Sequence, residues 1–488
     1  VTGRHVNPWL VLVLVCLAQF MVVLDATVVN VALPSIQNDL HMSESDLQWV
    51  VNAYTLVFGG FLLLGGRAGD LIGRKRIFLA GIVVFTAASL LDGLATSSTW
   101  LIVARGAQGL GGALVSPAAL SIVNTTFNSE ADRTKALGVW SAIAAGGGAV
   151  GLVIGGALTE KLSWPWVFFV NVPVGVATFI LAARLIPESR AEGERRSFDV
   201  AGAVTVTAGL IALVYAIVRT SVAGWTSVET IGTGGLAVAL LVAFVLIEQR
   251  SAAPLVRLDI FSVATLRAAN LALLLVMSGL FAMFFFCSLY NQRVLGYSPI
   301  QAGLAFLPFT AGIVIGAVAA QQLSVKLGLK QTAILGLTIS TVAVLWLIRL
   351  GPHGHYLPDL LPSILPASIG MGLAFVPLTL LATGGLPDRD AGLASGLFNT
   401  SQQVGGALGL AILSTVATSR TNHAFSAAGP DATVLQKAEA LVHGFVGAFA
   451  GAAVFLAVGA VLLLLLLHKR SVGANEIADP ATAAALES

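Results

Sequence analysis

The sequence predicts an all-α polytopic membrane protein with fourteen transmembrane helices, and three observations carry that prediction. Of 488 residues, 57% are hydrophobic and 10% charged, against roughly 25% charged in an ordinary soluble domain. Mean hydropathy is +0.90. Apolar segments recur from Trp9 to Leu467 between short polar breaks, each close to the ~20 residues that span a hydrocarbon core about 30 Å thick. Strands of a β-barrel would be about ten residues long and alternate in polarity, so that architecture is excluded.

The expected spans are 9–33, 48–66, 77–95, 99–123, 136–159, 166–183, 200–218, 231–249, 268–290, 301–323, 331–348, 360–382, 393–418 and 441–467. The first is too long for a signal peptide and has no small-x-small cleavage site, so it should be retained. Cytoplasmic loops keep positive charge. With the N-terminus inside, cytoplasmic segments hold 19 of the 26 Lys and Arg residues, outer segments hold 6, and Arg105 lies within a span. Fourteen spans return the C-terminus to the same side.

A charged stretch at 187–199 follows span six, and a break at 250–259 follows span eight. The chain therefore divides into six, two and six spans: a first half 1–186, a charged cytoplasmic loop with an inserted helix pair 187–250, a second half 251–470, and an Ala-rich tail 471–488 expected to be disordered. Two six-helix halves suit a transporter that rocks around a site near the midplane. Gly, at 52 residues, recurs inside spans at spacings that bring helix backbones close, and Pro117, Pro173, Pro308, Pro366 and Pro377 fall in or at the ends of spans, where bends are tolerated.

Several function classes are excluded. A net charge of +2 spread over many short loops gives no nucleic-acid footprint. Cys16 and Cys287 both lie in apolar spans, so neither a disulfide framework nor a metal site is expected. The seven histidines form no His-Glu-x-x-His, no Gly-x-Ser-x-Gly is present, and no phosphate-binding Gly-x-x-x-x-Gly-Lys-[Ser/Thr] loop exists to couple ATP. No catalytic residue and no cofactor are expected.

The most specific stretch is Gly66-Arg-Ala-Gly-Asp-Leu-Ile-Gly-Arg-Lys-Arg76, after span two. Gly66, Gly69 and Gly73 permit a tight turn and close helix contact, while Asp70 can pair with Arg74 or bind a helix N-terminus. A loop that merely sets topology accounts for the basic residues but not for three glycines around an aspartate. In span one, Leu24-Asp-Ala-Thr-Val-Val-Asn-Val-Ala-Leu-Pro34 carries Asp25, a carboxylate that costs about 2.5–3.5 kcal/mol to insert and is a functional candidate by default. Span four carries Arg105-Gly-Ala-Gln-Gly109, and span five has Gly147, Gly151 and Gly155 on one face, followed by Gly156. Span one runs outward and span four inward, so Asp25 and Arg105 fall at similar depth. Structural alternatives remain for each: Asp25 satisfied within a helix interface, Arg105 bonded to carbonyls, the glycine face serving ordinary packing.

Together these stretches resemble the major facilitator superfamily, and in particular its fourteen-span drug:proton antiporters. Loop 66–76 resembles the superfamily's signature loop, residues 24–34 the first-span motif, 105–109 the Arg-x-x-Gln-Gly motif, and 147–156 the antiporter motif Gly-x-x-x-Gly-Pro-x-x-Gly-Gly. Further matches are Trp164–Pro173, Phe198–Gly202, Tyr290–Gln292, Gly296–Gly303 and Gly392 to Gly406. The departures are Leu152 where proline is usual, Pro165 where arginine is usual, Asn291 at a commonly apolar position, and Asp92. The last is read as an interfacial carboxylate near the outer surface rather than a second proton site.

The resemblance implies the major facilitator fold, a monomer in the bacterial cytoplasmic membrane, and no cofactor beyond a proton gradient. It implies proton coupling through Asp25 and Arg105, a cytoplasmic latch at Gly66, Gly69, Asp70, Gly73 and Arg74, and a role in export for the span-five glycines. By the family's architecture the central cavity is lined by Thr27, Asn30, Asn52, Tyr54, Gln108, Phe281, Phe285, Tyr290, Asn291 and Gln402. Aromatic faces and amides suit flat hydrophobic compounds, and one carboxylate suits a monocation. No Asp or Glu lies in a second-half span, so no dication site is expected. The stripe of Phe281, Phe284, Phe285 and Phe286 equally fits core or lipid-facing packing. The expected partners are a small hydrophobic substrate, protons and the bilayer; a porter for a lipid, siderophore, amino acid or sugar is the other reading.

Overall fold

The computed structural model describes residues 7–127, 129–189, 199–251, 254–384, 388–429 and 433–467. Sixteen α-helices are present among them. The first group is α1 (Pro8–Asp39), α2 (Glu44–Ile72), α3 (Arg74–Gly93), α4 (Ser98–Thr126), α5 (Glu130–Lys161), α6 (Trp166–Phe169) and α7 (Asn171–Leu185). A pair follows, α8 (Val200–Ala223) and α9 (Val228–Arg250). The second group is α10 (Ala264–Arg293), α11 (Pro299–Leu304), α12 (Leu307–Leu327), α13 (Leu329–Trp346), α14 (Leu361–Thr383), α15 (Asp388–Ala428) and α16 (Val434–Leu466). No strand occurs among the described residues.

Twelve helical stretches among the described residues are long and apolar enough to cross a membrane, α6–α7 and α11–α12 each forming one of them. The sequence expectation of fourteen includes 136–159 and 393–418 as well. Those segments lie in α5 and α15, helices of 32 and 41 residues that pack among the twelve but fall outside that set. The loop 190–198 and the tail 471–488 lie outside the described residues.

Helix starts follow local chemistry. Asn7, Ser43, Ser97, Ser129, Ser227 and Thr433 each accept a main-chain N–H from the first turn of the helix they precede, satisfying donors that a helix leaves open. Ser298 and Thr433 form reciprocal caps with Gln301 and Gln436.

The apolar core explains how the two groups meet. At the end where α1 and α10 finish, one core runs through both groups: Val28, Val31, Leu33 and Ile36 of α1 with Leu152, Phe168, Phe285, Leu289 and Phe306. At the other end, Val11 to Val22 of α1 pack with Phe58, Ile77, Phe85, Ala118 and Ile122, and that core draws only on the first group. The halves are thus sealed together at one end. Hydrogen bonds reinforce the seal: Ser288 donates to Asn30 O (2.8 Å), Gln292 to Val31 O (3.1 Å), and Arg293 to Gln37. The α8–α9 pair packs beside the α2–α15 seam, where Leu210, Val214 and Val218 meet Leu56, Val404 and Ala411. An Arg219–Glu229 ion pair at 2.7 Å ties α8 to α9.

Candidate functional site

Asp25 stands inside α1 with 0% exposure, and Arg105 inside α4 with 1%. Their side chains meet at 2.6 Å. Two further amides complete the carboxylate's shell: Gln108 Nε2 donates to Asp25 Oδ1 at 2.8 Å and Asn171 Nδ2 at 3.0 Å. Both amides also donate to Ser89 Oγ, at 3.1 and 3.0 Å, and Ser89 donates to Phe168 O at 3.0 Å. The guanidinium is held as firmly. Its Nε donates to Val50 O at 2.9 Å, it also donates to Gln108, and it lies 4.4 Å from the Tyr54 ring centroid. Removing two charges from water costs several kcal/mol per ion, which is offset when geometry and additional hydrogen bonds satisfy both. Five elements supply this shell, so the pair is clamped from every side.

Each helix is placed by its sequence. Gly109, one turn beyond Arg105, has its Cα against Tyr54 O, so that a Cβ there would lie 2.4 Å from that oxygen; the close approach brings α4 onto α2 and points Arg105 at Val50. Gly147, Gly151 and Gly155 face Val23, Leu24 and Val28 of α1, as their spacing predicts. Gly156 instead faces α11. Leu152 leaves α5 continuous from Glu130 to Lys161, and its carbonyl lies against Gly303. Pro165 caps α6 with φ −56°, while the Trp164 indole donates to Asp39 at 2.7 Å.

The signature loop forms the tight turn expected of it. Gly73 has φ +128°, a conformation L side chains rarely adopt, and ends α2 as it opens α3. The main chain of Arg74 and Lys75 and the Lys75 side chain bond within the first group. Arg74 N–H donates to Ser189 O at 2.9 Å and Lys75 N–H to Glu188 at 3.1 Å, while the Lys75 ammonium donates to Ala183 O at 2.8 Å. Glu188 therefore sits at the positive N-terminus of α3, 3.5 Å from Arg76. The side chain of Asp70 lies outside the described residues. Gly66 faces Pro117 of α4, and Gly69 faces the Arg74 stem.

The expected cavity residues scatter. Tyr54 and Gln108 belong to the ion-pair shell. Phe285 and Tyr290 are buried in the core, Tyr290 donating to Gly351 O at 2.8 Å. Asn52 and Asn291 are buried and their amides have no hydrogen-bond partner. Thr27, Asn30, Phe281 and Gln402 are half-buried, and Thr27 and Asn30 bond to carbonyls of their own helix. A recess of about 710 Å³ between the ends of α1 and α10 is lined by Gln37, His41, Arg293 and Tyr297 among others, and one of about 410 Å³ between α1 and α5 by Trp9, Cys16, Phe20 and Ile143 among others. None of the ten expected residues lines either.

Asp92 corrects the sequence reading. Expected at an interface with solvent, it is 0% exposed, because Ser89 and Asp92 share the face of α3 that packs on α4 and α6. Ser89 and Asn171 escaped sequence reasoning. The available signal was a polar residue inside an apolar span, three positions before Asp92 in one case and within Trp164–Pro173 in the other.

An ion pair sealed among helices long and apolar enough to cross a membrane suits a membrane transporter. The chain belongs to the major facilitator superfamily, whose family model matches residues 15–410, and it is a multi-pass protein of the cell membrane. It is 40% identical to the puromycin resistance protein pur8 of Streptomyces alboniger over 97% of this chain and 94% of that one. It is 42% identical to the cephamycin export protein CmcT of Amycolatopsis lactamdurans over 94% and 93%. The tetracenomycin C resistance and export protein of Streptomyces glaucescens is 33% identical over 87% and 78%. In fold it is similar to an inward-facing bacterial homologue of the human lysosomal transporter Spinster, with TM-score 0.69 and 17% identity over 98% of this chain and all of that one.

Two expectations concern the sealed end. A Cβ on Gly156 would lie 2.5 Å from Pro299 O and 2.7 Å from Ile300 Cα, both backbone atoms that cannot yield separately. Gly156→Leu should part α5 from α11 at a cost of about 1–3 kcal/mol, roughly a 5- to 150-fold shift in a two-state equilibrium. Spin labels at Lys161 and Leu304 should move apart; an unchanged distance distribution contradicts the assignment. Glu160 is the second. It accepts from Ser298 and from Ile300 N–H at 3.2 Å, and these bonds, the Ser298 one foremost, hold its carboxyl below the ordinary 4.5. The contact is therefore complete at neutral pH and is lost as pH falls below 4.5 through the lowered value. The same labels should report opening in acid, and Glu160→Gln should flatten that response.

Proposed function

We propose that the chain is a proton-coupled antiporter that exports hydrophobic compounds, cationic ones included, by alternating access. In this reading fourteen helices cross the membrane, α5 and α15 among them, both termini are cytoplasmic, and the monomer is the working unit. The observation that carries it is the buried Asp25–Arg105 pair. The carboxylate and the guanidinium stand on different helices, so moving α1 relative to α4 parts the pair and leaves a carboxyl group free to exchange a proton. The names of the relatives, which speak of antibiotic resistance and export, favour drug-like cargo over nutrients.

The distribution of positive charge supports an outer location for the sealed end. The present conformation is then closed to the outside. A difference of about 1.7 pH units provides about 2.3 kcal/mol per proton, enough for roughly fiftyfold accumulation. The test is uptake of a fluorescent lipophilic cation into sealed, everted proteoliposomes. Accumulation should appear with an imposed proton gradient and collapse when a protonophore is added. Equal signals in the two conditions overturn the reading.

A further inference from the structure

Arg105 has a second acidic neighbour. Asp92 lies one residue before the end of α3, is fully buried, and neither of its carboxyl oxygens has a hydrogen-bond partner. It interacts electrostatically with both Arg105 and Asp25. The donors of the cluster are engaged elsewhere: Arg105, Gln108 and Asn171 each donate to Asp25, Gln108 and Asn171 also to Ser89, Arg105 also to Val50 O, and Ser89 to Phe168 O.

The charges facing Asp92 can be enumerated among the described residues. From α4 comes Arg105 and from α1 Asp25; Tyr54 of α2 lies against Arg105. The α6 and α7 helices bring no titratable group to this end, Arg184 lying in the last turn of α7. A guanidinium stays charged under all working conditions. With both aspartates ionised the site would hold a net negative charge out of water, and with one protonated it is neutral. Three donors point at the Asp25 oxygens, whereas none among the described residues donates to Asp92.

The geometry points to Asp92 as the second half of a carboxylate pair that shares one proton and one guanidinium with Asp25, serving as the outer station for the transported proton. This rests on the proton-coupled reading above. In the present state the proton is on Asp92 and Arg105 on Asp25. In the exchange, the O–H bond of Asp92 breaks, water admitted to the opened site carries the proton, and an O–H bond forms on Asp25. Arg105 swings in the opposite sense, from the Asp25 carboxylate to the newly ionised Asp92. The cluster stays neutral through this exchange; Asp25 then gives its proton to cytoplasmic water and takes Arg105 back, and Asp92 is reloaded from outside water when the sealed end opens.

Infrared spectroscopy of the purified protein at pH 7 tests the inference without any transport measurement. The parent should show a carbonyl band of a protonated carboxylic acid that Asp92→Asn removes. Asp25→Asn should remove it too, because Arg105 then pairs with Asp92 and ionises it. A parent-minus-Asp92→Asn difference spectrum without an acid carbonyl band overturns the proposal, and that band kept in Asp25→Asn overturns the sharing. Asn replaces a neutral acid of the same shape, and Asp92→Leu, which forfeits no hydrogen bond, is the second variant. In proteoliposomes Asp92→Asn should lower gradient-driven accumulation by about tenfold or more while leaving downhill exchange within about twofold, with Asp92→Glu restoring part of it. If accumulation by Asp92→Asn equals the parent's while Asp25→Asn is dead, the outer station is refuted and proton coupling stands. A parent indifferent to the gradient refutes proton coupling instead.

Discussion

Asp25→Asn, reconstituted beside the parent, is expected to lose uphill transport entirely. The roughly fiftyfold accumulation that one proton supports across about 1.7 pH units should collapse, because the amide cannot take up or release a proton in the working range. Shape and most hydrogen bonds survive, since Gln108 and Asn171 can still reach the amide oxygen, so substrate exchange down its own gradient should continue. The measurement is the steady-state ratio of a lipophilic cation across sealed vesicles with the gradient held. A ratio equal to the parent's would remove Asp25 from the coupling role.

Arg105→Ala should have the largest effect on the fold itself. It strips the guanidinium from Asp25, Gln108, Val50 O and the Tyr54 ring at once, leaving a carboxylate in a water-poor interior. Breaking a buried pair by removing one partner costs about 3–5 kcal/mol, which should appear as a marked fall in the detergent unfolding temperature. Arg105→Lys should recover only part of this, because a point charge on a flexible stem cannot serve Val50 O and Asp25 together. The double variant Arg105→Gln with Asp25→Asn should be more stable than Arg105→Ala, since no charge is left uncompensated. If Arg105→Ala melts with the parent, the guanidinium carries no structural load.

The contrast between Asp25 and Asp92 shows what a one-dimensional pattern can and cannot reveal. A carboxylate or guanidinium surrounded by twenty apolar residues announces itself, and antiparallel traversal puts Asp25 and Arg105 at matching depth, so their encounter was legible. So was the glycine face of α5, because a four-residue spacing dictates a shared helix face. Which way a polar residue points across an interface is another matter. Gln108 is three residues from Arg105, and the sequence assigns it to a cavity; the crossing of α3, α4 and α7 makes it a partner of Asp25 instead. Asp92 sits at the edge of its span, where hydropathy implies solvent, but the α6 segment folds over it. Glu188 reads as one charge in a polar break, although it caps the helix that begins at Arg74.

The α8–α9 pair makes the two flanks of the molecule unlike. Where α2 meets α15, Leu210, Val214 and Val218 lie over the joint and fence it from acyl chains. On the opposite flank α5 touches the second group chiefly through Gly156 and Leu152 against the Pro299–Gly303 segment, while an apolar recess opens between Trp9 and Ile143. Acyl chains on the one side therefore meet α8 before they can reach the α2–α15 joint, so a lipid annulus would wet the molecule unevenly.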